Sequence, residues 1–121
     1  MEFPVEIWLR GENDATTATI APVAKPPDAW TDGDVAAVLV GMLRALDRAR
    51  NPDADAERPV ALRGFSWIVN PFEDSGVVIA IEIQTGAAVA GPFRIDKKQL
   101  EDMIARAIAQ QTVAASATSI H

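Results

Sequence analysis

The chain has no cysteine, and its one histidine is the last residue, His121. The first absence excludes disulfide staples and thiol chemistry, and permits a reducing compartment. Together the two remove the usual zinc ligands and the imidazole of a Ser-His-Asp triad. A histidine at the end of an unpatterned tail is no positioned general base. No glycine-rich phosphate loop is present, and no apolar run approaches the roughly 20 residues that span a bilayer. Positive charge is also scarce. Lys and Arg total 11 against 17 Asp and Glu, a net charge of −6. That sign disfavours nucleic-acid backbones and anionic membrane surfaces, so neither nucleic acid nor membrane is an expected partner. The start, Met1-Glu2-Phe3-Pro4, lacks the basic and apolar regions of a signal peptide. The expected address is the cytoplasm.

What is present is a strongly patterned stretch from Leu62 to Ile95. Val77, Ile79, Ile81 and Ile83 alternate with Val78, Ala80, Glu82 and Gln84, the signature of a strand with one buried face. Before it, Leu62–Val69 puts Phe65, Trp67 and Val69 on one side and Leu62, Gly64, Ser66 and Ile68 on the other. The two arms flank Asn70-Pro71-Phe72-Glu73-Asp74-Ser75-Gly76, a run of turn formers. The stretch reads as a hairpin whose pairing weakens at Pro71, which has no N–H to donate. Thr85-Gly86 interrupts the second arm. Ala87–Gly91 then reads as either a short extra edge strand or a bulged continuation.

In the first half, Val5, Ile7 and Leu9 alternate with Glu6, Trp8 and Arg10 as a first strand. Thr16–Val23 follows as a second strand, and Pro22, Pro26 and Pro27 make it either an edge strand or one that ends early. Thr31 is placed as a helix N-cap with Asp34 completing a capping box, and Trp30 and Val35 occupy staple positions. Val35, Val38, Leu39, Met42, Leu43 and Leu46 recur at helical spacing until Asn51-Pro52. A second helix begins at Asp96, with Gln99 three residues on, Ile95 and Leu100 as its staple, and Leu100, Met103, Ile104, Ala107 and Ile108 as its stripe. Asp102 and Arg106 are spaced to pair on its surface. The matching helix starts, each after a strand pair, are open to two readings: a ββα duplication with Trp8 and Trp67 in equivalent first strands, or two ordinary amphipathic helices that share ordinary caps. Residues 112–121 carry no pattern and are expected to fray.

Candidate chemistry is thin. Asp53, Asp55 and Glu57 have the alternate spacing of a calcium loop, but its sixth and twelfth positions would be Arg58 and Gly64 instead of Gly and Glu. A solvated acidic linker is the better reading. Glu82 is expected to be partly buried, with a cross-strand partner such as Arg63. Acid–base catalysis there would need a second positioned group, and none is identified. Trp67 and Trp30 are expected in the core. Trp8 is out of phase with its apolar neighbours.

The sequence therefore predicts an α+β domain over residues 1–111, with a mainly antiparallel sheet of four or five strands and two helices on one face in the order ββαββα. No cofactor, metal or catalytic residue is expected. The predicted function is a small acidic protein-interaction module, non-enzymatic and self-associating as a homodimer or binding a protein partner, with Trp8, Val78 and Ala80 at the interface. The alternative is a small-ligand-binding domain with a pocket between sheet and helices.

Overall fold

The computed structural model describes residues 2–21, 23–53, 60–74 and 76–119, with side chains as far as Gln110. Its elements are β1 (Phe3–Leu9), β2 (Thr16–Ile20), α1 (Asp32–Arg50), β3 (Ser66–Pro71), β4 (Val77–Ile83), β5 (Gly86–Phe93) and α2 (Lys97–Ser119), with a short 3-10 turn at Pro27–Ala29 before α1. The strands form one antiparallel sheet in the spatial order β2-β1-β5-β4-β3. The fold is α+β, as the hydrophobic periods indicate.

Each strand shows a period of two. Val5 and Ile7 of β1, Ala88 and Ala90 of β5, and Ile79 and Ile81 of β4 are buried on one face. Both helices cover that face. α1 packs on β1, β5 and β2, and α2 packs on β3 and on α1. Val35, Val38, Leu39, Met42 and Leu46 of α1 and Leu100, Met103 and Ile104 of α2 join the strands in one hydrophobic core. At one end of the sheet Phe3, Trp30 and Phe93 pack edge to face, with ring centroids 4.7–5.9 Å apart. The buried Trp30 indole still finds a polar partner, because its Nε1 donates to the Lys25 carbonyl at 3.1 Å.

The helix entries form as their local sequences dictate. The Thr31 hydroxyl accepts from the Asp34 N–H, and the Asp34 carboxylate accepts from the Thr31 N–H, a complete capping box. Asp96 accepts from the Gln99 N–H at the start of α2. The backbone of α2 stays helical to Ser119, through the stretch that lacks an apolar pattern. His121 lies outside the described residues, as do all but Asp53 of the acidic positions that resemble a calcium loop.

Four expectations need correction. Ala87–Gly91 is part of β5, which is not an edge strand: it lies between β1 and β4. The element order is therefore ββαβββα. Gly86 allows this insertion, since a Cβ there would collide with the Trp8 carbonyl oxygen of β1. The hairpin directly preceding α2 is thus β4–β5, not β3–β4, and Trp67 on β3 is not the counterpart of Trp8 on β1. The first arm of the β3–β4 hairpin begins only at Ser66, with Leu62 buried ahead of it outside the strand. Finally, Arg106 does not pair with Asp102. Lys98 takes Asp102 at 3.0 Å, and Arg106 turns to Asp32 of α1.

Candidate interaction surface

With both helices on one side, the sheet's other side has no covering layer among the described residues. Its side chains follow from the register. One row crosses the sheet as Thr17, Glu6, Val89, Ala80 and Ile68, and the next as Trp8, Ala87, Glu82 and Ser66. Val78, opposite Asn70, lies one step beyond Ala80 on the same side. An apolar band therefore runs diagonally from Trp8 on β1, through Ala87, Val89 and Ala80, to Ile68 on β3. Glu6 and Glu82 lie on opposite sides of it.

The relief of this band matters more than its composition. Among the described residues three large apolar side chains are exposed, and two of them, Trp8 at 46% and Ile68 at 52%, are the ends of the band. The third, Phe72, is in the β3–β4 turn. The middle of the band is built from Ala87, Ala80 and one valine, Val89, so it lies lower than its ends. Ile68, Ala80, Glu82 and Ala87 border a shallow hollow of about 300 Å³. The Trp8 indole N–H makes no hydrogen bond among the described residues. Of the three interface positions expected from sequence, Trp8 is exposed, while Val78 and Ala80 are half-buried on the same face.

Glu82 is exposed rather than partly buried, and its neighbours in the register are Ser66 and Ala87 instead of Arg63. It has no ion pair among the described residues. With Arg10 and Ser66 it lines an open polar recess at the end of the sheet. No group of three or more metal-ligating side chains occurs among the described residues.

A third concavity lies at the sheet margin, where β2 meets α1. It measures about 290 Å³, and Ala18, Ile20, Ala45 and Ala49 supply its apolar walls while Arg44 and Arg48 stand beside it. Gly41 faces Ile20 at one end, where a Cβ would lie 3.5 Å from the Ile20 side chain, an ordinary contact. The sequence does hold a sign of this groove, in the recurrence of Gly41, Ala45 and Ala49 every fourth residue along α1.

Electrostatic pairing concentrates at the helix starts. The Asp32 carboxyl is held below its ordinary range, mainly by the hydrogen bond from Arg106. Asp34 is lowered by its hydrogen bond from Lys25 and then by the Thr31 N–H. Both carboxylates have structural partners at an N-terminus whose dipole favours negative charge, so neither offers spare acid–base capacity. No helix among the described residues is long and apolar enough to cross a membrane. Comparison with protein-family models, with curated proteins and with solved structures finds no match to this chain.

Proposed function

We propose that the protein is a non-enzymatic interaction module that self-associates through the open sheet face, each copy seating Trp8 in the hollow of the other. The supporting observation is that an exposed indole and a hollow bordered by Ala80 and Ala87 share one uncovered face. They lie two strands apart, roughly 10 Å. A two-fold interface requires such a reciprocal pair, because if residue i of one copy meets j of the other, then j meets i. Seated there, the Trp8 N–H has an acceptor in Glu82 of the other copy, which answers the polar demand of a buried indole.

The sheet face measures on the order of 20 Å by 24 Å, so pairing two copies removes about 1,000 Å² from water. That is the low end for specific interfaces and fits micromolar association. A net charge of −6 per copy opposes approach, but salt screens this repulsion beyond about 8–10 Å. We assign no reaction to the module, and place it in the cytoplasm, where a chain without cysteine loses nothing.

Sedimentation velocity across a micromolar concentration series tests the reading. The wild type is expected to shift from monomer to dimer, and Trp8→Ala to remain monomeric with an unchanged circular dichroism spectrum. A wild type that stays monomeric throughout overturns it.

A further inference from the structure

We propose that the groove between β2 and α1 binds a free medium-chain fatty acid, with its tail along the apolar walls and its carboxylate between Arg44 and Arg48. This site is on the helix side of the sheet margin and is independent of the open face.

The walls specify the tail. α1 has 19 residues and β2 only five, so the helix overruns the edge strand. Gly41 and Ile20 face each other at one end. From there Ala45 and Ala49 continue the helix wall and Ala18 the strand wall, and side chains this small leave the space between the elements open. The helix advances about 12 Å from residue 41 to residue 49. At about 290 Å³, the groove sits at the foot of the roughly 300–1,000 Å³ range for small-molecule sites. It suits one short flexible chain. A two-chain lipid is too large, and the lining has no aromatic face to stack a ring.

The rim specifies the head. Arg44 and Arg48 are one helical turn apart, both exposed, and neither makes an ion pair among the described residues. Lys25, Lys97, Lys98 and Arg106 are each matched to a carboxylate, whereas Arg10, Arg50, Arg63 and Arg94 make no ion pair among the described residues either; what sets Arg44 and Arg48 apart is that they line the groove. Two like charges at i, i+4 repel, and an anion between them relieves that repulsion. A guanidinium pairs with a carboxylate through two parallel N–H donors. In a chain of net charge −6, two such cations beside an apolar groove are complementary to an amphipathic anion, whereas a neutral or cationic amphiphile gains nothing from them.

The test titrates sodium decanoate, below its micelle concentration, into the isotopically labelled full chain, followed by amide chemical shifts. Decanol is the neutral control. The titration uses both the wild type and Trp8→Ala, so that loss of self-association cannot be mistaken for loss of this site. Saturable shifts are expected in Thr16–Ile20 and Gly41–Ala49 of both proteins. Binding should weaken about tenfold or more with decanol and in the folded double variant R44E/R48E, the loss of one charge-assisted contact. Ala45→Leu, which fills the groove, should abolish the shifts while keeping the fold. The proposal is overturned if no saturable shifts occur, if decanol binds as well as decanoate, if R44E/R48E binds unchanged, or if the shifts map to the open sheet face.

Discussion

Arg106 of α2 grips Asp32 at the first turn of α1 through three hydrogen bonds of 2.9, 3.1 and 3.2 Å, across 74 residues of sequence. Gln110, one turn further along α2, adds a contact to the same carboxylate at 3.4 Å. The pair joins the two helices where α1 begins, so a single carboxylate both meets the positive end of its own helix and anchors its neighbour. The guanidinium fork fixes the geometry in a way a single ammonium would not.

Acid should therefore loosen the fold through this corner. Asp32 and Asp34 have folded pKa values below their ordinary range, because of Arg106 and Lys25 respectively. The unfolded chain then binds more protons than the folded one near these values. The stabilisation is complete above the unfolded carboxylate pKa, about 4, and is lost as pH falls through the lower folded values. Urea midpoints measured from neutral pH down should fall below pH 4, and the fall should be shallower in Asp32→Asn. Parallel curves for the two proteins would mean that Asp32 contributes nothing to the acid limb.

Thr31→Ala should destabilise the protein by about 1 kcal/mol, because it leaves the Asp34 N–H without its hydroxyl acceptor. Thr31→Ser, which keeps the oxygen, should recover most of that. Chemical denaturation resolves the difference. Equal midpoints for the alanine variant and wild type would show that the box in α1 is held by Asp34 alone.

The caps were legible because they are local: Thr31 with Asp34, and Asp96 with the Gln99 N–H, lie within one turn. The buried phases of β1 and β4 were legible from alternation, and with them the outward position of Trp8. The place of β5 was not. Its sequence, GAAVAGPF, is poor in the β-branched and aromatic residues that mark strands. Its strand character comes from having a partner on both sides, a property of β1 and β4 as much as of itself. The Arg106 pairing was likewise hidden, since Asp102 at i−4 is the only partner sequence spacing can propose. Choosing Asp32 requires the helices to be placed first. The hollow and the groove depend on where alanines fall opposite one another on different elements, which no single element records.

Neighbouring strands provide a direct reading of the sheet's two sides. Ile81 on β4 is 1% exposed and Ile68 on β3 is 52% exposed. Ile81→Ala should cost roughly 2–5 kcal/mol by removing buried contacts and leaving a cavity. Ile68→Ala should change monomer stability by no more than about 0.5 kcal/mol. A comparable loss from both variants would show that the open face is covered within the monomer itself.

The proposed self-association makes a sharper demand than loss of dimer in Trp8→Ala, because indole and hollow act in trans. Ala80→Trp should fill the hollow from the half-buried outer side of β4 without entering the core, and should also be monomeric. The two variants have complementary defects. Trp8→Ala keeps a vacant hollow and lacks the indole that fills one, whereas Ala80→Trp keeps Trp8 and lacks the hollow. A two-fold dimer holds two equivalent contacts. A mixed pair can form one of them and neither pure variant can form any. Mixing the proteins should therefore produce a heterodimer weaker than the wild-type homodimer, visible by sedimentation velocity with one variant fluorescently labelled. A general loss of surface hydrophobicity would not be repaired by adding a second defective protein. If both variants are folded and monomeric alone and remain so when mixed, Trp8 does not seat in that hollow, and the open face must pair by another geometry.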